Sequence, residues 1–174
     1  MILSRFLVSP VTKKHIERKV IEAHPIHLFR IIQDVDKYEK FLPLCSFSKV
    51  IQRSPDGRTF EGKLVVGAGI FVEEYVSRVT VIPETLTILS ESIQSTKFDS
   101  LKSRWTLHEI ESDKNVHCDV DFEVEMTVSD PLIVATLDQI LQKVAGYQVK
   151  AFEKRCHELP VPYDLIEAAK RLKQ

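Results

Sequence analysis

Nowhere in the 174 residues does an apolar run approach the roughly 20 that a helix needs to cross a bilayer, so no membrane-spanning helix is expected. Glycine and proline are scarce, at 5 and 8 residues, which excludes collagen-like and low-complexity chains. Only three cysteines occur, Cys45, Cys118 and Cys156, far apart and without a CxxC pair. An odd, dispersed set supports neither a disulfide framework nor a zinc ribbon, and a reducing compartment is the simpler setting. Charge of one sign is missing as well: 24 Lys and Arg stand against 25 Asp and Glu, for a net charge of −1. A dominating basic field for nucleic acid is absent. HExxH, a serine nucleophile elbow and a phosphate loop are also absent.

What is present is a chain of one domain's length, 44% hydrophobic and 28% charged, long enough to bury a core without staples. Its charge is uneven. Residues 1–19 hold five basic residues and one acidic, residues 20–149 thirteen and twenty, and residues 150–174 six and four. Residues 1–16 contain no acid, with Arg5, Lys13 and Lys14 among hydroxylated and apolar residues. Residues 1–13 therefore read as a mitochondrial targeting segment or as an ordinary frayed terminus.

Periodicity orders the rest. His15–Glu22 reads as a first strand, and Pro25 opens a short helix through Ile26, Phe29, Ile32 and Val35. Residues 36–42 read as a second short helix, stopped by Pro43. The period then becomes two, giving strands at 47–52, 59–66, 70–82, 85–91, 101–110 and 116–128. In the last of these Val116, Cys118, Val120, Phe122, Val124 and Met126 share one face, and His117, Asp119, Asp121, Glu123 and Glu125 the other. Asp130-Pro131 caps a long helix expected to run to about Leu159. The expected domain covers residues 14–160, with a C-terminal tail at 161–174 whose Lys170, Arg171 and Lys173 suit a frayed end or an anionic membrane surface. One long helix against so many strands predicts an α+β fold with a curved antiparallel sheet and room for an apolar cavity.

Few residues suggest chemistry. His24 and His27 lack further metal-ligating partners nearby, and Cys45 after Leu-Pro-Leu reads as packing rather than a nucleophile. The acidic stripe Asp119–Glu125 has alternate side chains about 6.6–7 Å apart, wide for sharing one ion, and reads as a solvated face. Gly67-Ala68-Gly69, flanked by Val65, Val66, Ile70 and Phe71, reads as an apolar hairpin able to touch a bilayer or gate a cavity mouth. Trp105 and Leu64 alternate with apolar neighbours and suit a core or a tunnel wall. Tyr75 and Ser77 share a strand face, opposite Arg78, and offer hydrogen-bond donors.

Five strings occur in order: VDKYEKFLPLC (35–45), LVVG with EYVSRV (64–79), FDSLKSRW (98–105), CDVDFEV (118–124) and FEKRCHEL (152–159). Together they resemble the coenzyme Q-binding proteins of the START-like, polyketide-cyclase-related superfamily, over about residues 14–159. The resemblance implies a helix-grip fold with a lipid tunnel between sheet and C-terminal helix. It implies ubiquinone or its late precursors as ligand, no catalysis, no catalytic cofactor or metal, and no nucleic-acid partner. Leu44, Leu64, Val66, Phe71, Tyr75, Phe98, Trp105, Leu137 and Leu141 are the lipid-binding positions expected on that basis. Leu44 stands where the family often carries tryptophan. The expected setting is the matrix side of the mitochondrial inner membrane, peripherally bound, with quinone-biosynthesis or respiratory complexes as partners and a carrier or chaperone role. Two alternatives stay open: a cyclase or aromatase, since the superfamily hosts such enzymes, and a ribosome-binding module, since bacterial relatives include a ribosome-association toxin.

Overall fold

Seven antiparallel strands form one sheet in the order β1-β7-β6-β5-β4-β3-β2, in a computed structural model that describes residues 9–68, 71–111 and 116–165. The strands are β1 (Val11–Ile21), β2 (Cys45–Arg53), β3 (Thr59–Ala68), β4 (Phe71–Ile82), β5 (Thr87–Gln94), β6 (Ser100–Glu111) and β7 (Val116–Val128). Most lie close to where the two-residue period predicts; β1 starts earlier, at Val11, inside the segment read as targeting, and β5 starts later than the expected 85–91, because Pro83–Thr85 forms a 3-10 turn before it. Its partner there is Val128 of β7, so Val11–Lys13 belong to the sheet and the domain begins before residue 14. Residues 1–8 and 166–174 lie outside the described residues, and with them most of the targeting segment and the basic tail.

The helices follow their caps. The His24 ring accepts from the Ile26 N–H at 3.2 Å and Pro25 fills the first turn of α1 (Pro25–Gln33). A 3-10 turn, Val35–Lys40, replaces the expected second helix. It is pinned to edge strand β2: the Asp36 carboxylate accepts from the Val50 N–H at 2.7 Å, and the Ser48 hydroxyl accepts from the Glu39 N–H at 2.9 Å. Asp130 caps α2 (Pro131–Val134), and α3 (Leu137–Glu158) follows. The single helix expected from Pro131 to Leu159 is thus two. β-Branched Ile133, Val134 and Thr136 crowd the turn between them, and the Thr136 backbone leaves the helical region at φ −120°, ψ 4°. Pro160 ends α3 by holding Leu159 extended.

The sheet grips α3 on its inner face. Leu137, Leu141, Ala145, Val149, Phe152 and Cys156 form the buried stripe of α3. They meet Val120, Phe122 and Val124 of β7 and Trp105 and Leu107 of β6 in one core. At the centre the Trp105 ring stacks on Phe122 at 4.2 Å and meets the edge of Phe152 at 5.1 Å. Phe152 also contacts Tyr38 at 5.3 Å and Phe41 at 5.2 Å, tying the 3-10 turn to the same cluster. On the outer face the acidic stripe is solvated and paired with β1, through Lys14–Glu123 at 2.8 Å and Arg18–Asp121 at 2.9 Å.

Truncating Phe152→Ala should cost roughly 3–5 kcal/mol in urea unfolding, because it empties the centre of this cluster. Leu132→Ala, at a residue 82% exposed, should stay within about 0.5 kcal/mol of the native chain.

Candidate functional site

Coverage of the inner face is unequal. α3 lies closest to β1 and β7, α1 lies over β5 and β6, and the 3-10 turn lies over β2. Ion pairs hold α3 to the β1 side: Lys13–Asp138 at 3.2 Å and Lys19–Glu153 at 2.5 Å. Val35 of the 3-10 turn also lies over Gly62 of β3. The inner faces of β3 and β4 are read from the register, in which Leu64 pairs with Tyr75, Gly62 with Ser77 and Val66 with Glu73. At about 100° per residue, Ile140, Val144 and Tyr147 of α3 lie on the flank turned away from Asp138 and Glu153. All three are exposed, Tyr147 at 53%. Arg155, on the same flank, lies over the Phe41 ring at 5.4 Å, which orients this flank toward the 3-10 turn and the β2 side. The space between that flank and β3–β4 is the candidate site.

Expected lipid-binding residues divide into groups. Leu64 is buried, Val66 and Phe98 are half-buried, and the Tyr75 and Phe98 rings meet edge-on at 5.5 Å. These four gather on the open half. Trp105, Leu137 and Leu141 lie beneath α3, closely packed, so a ligand reaches them only if α3 or Phe152 moves. Leu44 stands apart: its side chain is 56% exposed, not turned into the interior as expected. The reason is local. Leu44 adopts φ +64°, in the left-handed region, and its carbonyl accepts from the Gly67 N–H at 2.8 Å. That bond ties the turn before β2 to the β3–β4 hairpin. Phe71 opens β4 opposite Ala68, and its side chain and residues 69–70 lie outside the described residues.

Hydrogen bonding separates the inner polar groups. The Ser90 and Ser103 hydroxyls bond each other at 3.2 Å, and the Ser92 hydroxyl accepts from the Leu101 N–H at 2.9 Å. The Tyr75 and Ser77 hydroxyls have no hydrogen bond among the described residues. Burial, with Cys45 nearby, pushes the Tyr75 hydroxyl above its usual range, so it stays a protonated donor. Arg78 points the other way, to Glu61 at 3.2 Å.

Glu73 escaped the sequence reading. It alternates with Tyr75 and Ser77, which would have placed it on the inner face. It is the one buried acid among the described residues. Its carboxylate accepts from the Ser95 hydroxyl at 2.9 Å, the Thr96 N–H at 2.8 Å, the Thr96 hydroxyl at 3.2 Å and the Lys97 N–H at 3.4 Å. The Lys97 ammonium donates to the Val72 carbonyl. Burial alone would push the Glu73 carboxyl up, and these donors more than offset it and hold it below its ordinary 4.5. The β5–β6 loop is therefore latched to β4, with Phe98 over Tyr75.

Reactive groups are few. Burial raises all three thiols, those of Cys118 and Cys156 to about 12, which leaves little thiolate near neutral pH. No group of three or more His, Cys, Asp or Glu among the described residues is placed to hold a metal ion. His24 is the cap of α1, and His27 is buried beneath it.

The profile of the family described as polyketide cyclase / dehydrase and lipid transport matches residues 21–153. The chain is 27% identical over 139 residues to a mitochondrial coenzyme Q-binding protein of Dictyostelium discoideum, covering 78% of this chain and 65% of that one. Against its counterpart in Schizosaccharomyces pombe it is 35% identical over 101 residues, covering 57% and 62%. Its matches thus span less than two thirds of either relative's length. A ribosome association toxin of Pseudomonas aeruginosa is 25% identical over 146 residues, covering 83% of this chain and 96% of the toxin. Among solved structures, a START superfamily protein of Mycobacterium smegmatis superposes with a TM-score of 0.75 at 17% identity, over 84% of this chain and 99% of that one. A Streptomyces aromatase/cyclase superposes at 0.72 and 9% identity, over 84% and 94%. These two likenesses establish the helix-grip fold.

Glu73→Gln should loosen the β5–β6 latch, costing about 1–3 kcal/mol at pH 7 and speeding amide exchange at Thr96 and Lys97. Because the folded carboxyl is held below 4.5, this stabilisation is present above pH 4.5 and is lost as pH falls through the lower folded value. Unfolding curves of the two proteins should therefore converge in acid.

Proposed function

The chain belongs to the polyketide cyclase / dehydrase and lipid transport family, and on that premise we propose that it binds ubiquinone or a late precursor. The quinone head sits against Tyr75 and Ser77, and the polyprenyl tail runs along the apolar flank of α3 past Ile140 and Val144. The observation that carries this reading is the pair of hydroxyls on β4, those of Tyr75 and Ser77, that have no hydrogen bond among the described residues. A quinone offers two carbonyl acceptors and no strong donor, which matches two hydroxyl donors. Leu64, Val66 and Phe98 supply apolar wall around them, as small-molecule sites usually do. Two relatives bear the name coenzyme Q-binding protein, which points to the same ligand.

Transfer between bilayer and site is nearly balanced, since both phases are apolar, so the site contributes shape and head-group contacts. A long tail need not fit inside. Such a protein acts as carrier or chaperone between the membrane complexes that make quinone and those that use it. We place it at the matrix face of the mitochondrial inner membrane, peripherally bound; no helix among the described residues is long and apolar enough to cross a membrane. Exposed Leu44, Val72 and Leu132 are apolar groups suited to bilayer contact.

A binding role is favoured over an enzymatic one by Glu73. A cyclase needs an acid–base group free to exchange a proton, and the one buried acid on the inner face is committed to the β5–β6 loop. The role of a ribosome-binding module needs a basic face, whereas Lys14 and Arg18 are neutralised by Glu123 and Asp121.

The test is extraction of the protein, purified from its native membrane setting, with organic solvent and mass spectrometry of the released lipid. Near-stoichiometric ubiquinone is expected. A Tyr75→Phe, Ser77→Ala variant of unchanged melting temperature should lose two hydrogen bonds and roughly 30-fold in affinity. Absence of quinone from folded native protein would contradict the reading.

A further inference from the structure

A second concave site lies at the C-terminal end of α3. It is a cleft of about 300 Å³ between α1, the 3-10 turn and the C-terminal end of α3. Its charged lining is Arg30, Lys37 and Arg155, with Asp34 as the one acid. Leu159, Pro160 and Pro162 form an apolar wall beside them. We propose that this cleft binds an oxyanion of the phosphate class.

The cleft already handles an oxyanion. Asp164, from the segment after α3, places its carboxylate on the Arg30 guanidinium in a two-pronged contact, at 2.6 and 3.1 Å. Such a fork is the geometry by which arginine recognises carboxylate and phosphate alike. The two other cations are under-used. Lys37 has no ion pair among the described residues. Arg155 is only 22% exposed, yet its nearest acid, Glu158, stands at 3.6 Å and its guanidinium makes no hydrogen bond. The guanidinium, held over the Phe41 ring with only the distant Glu158 carboxylate beside it, keeps donors to spare for an anion.

The floor of the cleft supplies an independent observation. His27 is buried, and its Nε2 is the one buried side-chain nitrogen or oxygen among the described residues without a hydrogen bond. A buried polar atom left unpaired is costly and rare, and a ligand atom is one way to satisfy it. Burial lowers the pKa of the ring, partly offset by the backbone carbonyls of Cys156 and Leu159, so the ring is neutral near pH 7 and meets a phosphate oxygen through Nε2 in its Nε2–H tautomer. Apolar walls next to the cations suit a phosphate ester as well as the free ion.

The experiment is a titration of the full chain with inorganic phosphate, followed by ³¹P line broadening and by the ring-proton NMR shifts of His27. Saturable broadening and a moving His27 signal are expected. Lys37→Gln with Arg155→Gln should weaken binding roughly ten-fold. Lys102→Gln, on the outer face of the sheet, should leave it unchanged. Asp164→Asn, which releases the Arg30 fork, should tighten it several-fold, a gain that loss of folding cannot mimic. A parallel flotation assay uses phosphatidylcholine vesicles with and without phosphatidic acid, in phosphate-free buffer. Vesicle binding that needs phosphatidic acid and is lost in the double variant assigns the site to a lipid phosphate. Phosphate binding without vesicle binding assigns it to the free ion. No saturable binding in either arm, or binding indifferent to Lys37, Arg155 and Asp164, overturns the proposal.

Discussion

One amphipathic helix cannot cover the inner face of seven strands, and the rest of the molecule is organised around that mismatch. A sheet must bury one face, and α3 presents a single buried stripe from Leu137 to Cys156. Ion pairs from Lys13 and Lys19 draw it toward β1 and β7, and Phe152 wedges between Trp105, Tyr38 and Phe41 to hold it there. Exposed pairs of this kind are worth little one by one, so the aromatic wedge carries most of the anchoring. α1 and the 3-10 turn cover β5, β6 and β2. Val35 of the 3-10 turn also covers part of β3, and the flank of α3 from Ile140 to Tyr147 stays apolar and exposed.

The disposition of buried polar groups gives the space beside that flank its chemistry. Interiors normally satisfy every donor and acceptor, and here nearly all are satisfied. Glu73 is saturated by one loop, and Ser48, Ser90, Ser92 and Ser103 all have partners. Against that background the Tyr75 and Ser77 hydroxyls, not fully enclosed and without a hydrogen bond among the described residues, mark one site, and the buried, unpaired Nε2 of His27 marks another. The first is walled by apolar side chains and suits a neutral carbonyl. The second is ringed by cations and suits an anion. A protein that takes a lipid from a bilayer has use for both a dry pocket and a polar surface contact.

Strand periodicity made most of the sheet legible in the sequence. The alternation of β7 from Val116 to Val128 predicted its buried and solvated faces correctly, and Pro25, Asp130 and Pro131 marked helix starts. The break at Thr136 was hidden, because a strong cap at Asp130 and a following apolar period read as one helix. The exposed flank of α3 was hidden for a related reason: Ile140 and Val144 fall at helical spacing beside the buried stripe, and spacing alone does not distinguish core from rim. Leu44 misled in the opposite direction. The resemblance placed it among the lipid-binding positions, whereas a left-handed backbone after Pro43 leaves its side chain exposed. Glu73 was legible in principle from its parity with Tyr75. Only its loop donors, more than 20 residues on, explain why a carboxylate is tolerated inside.

The central claim is that the gap between the α3 flank and β3–β4 holds a quinone. Its most direct test is photo-crosslinking with an azido-ubiquinone analogue, followed by peptide mapping of the labelled chain. The account predicts labels in β4 around Tyr75–Ser77 and in α3 around Ile140–Tyr147, both suppressed by unlabelled ubiquinone. Labels confined to the outer face of the sheet or to β1, or labelling that excess ubiquinone does not suppress, would contradict it.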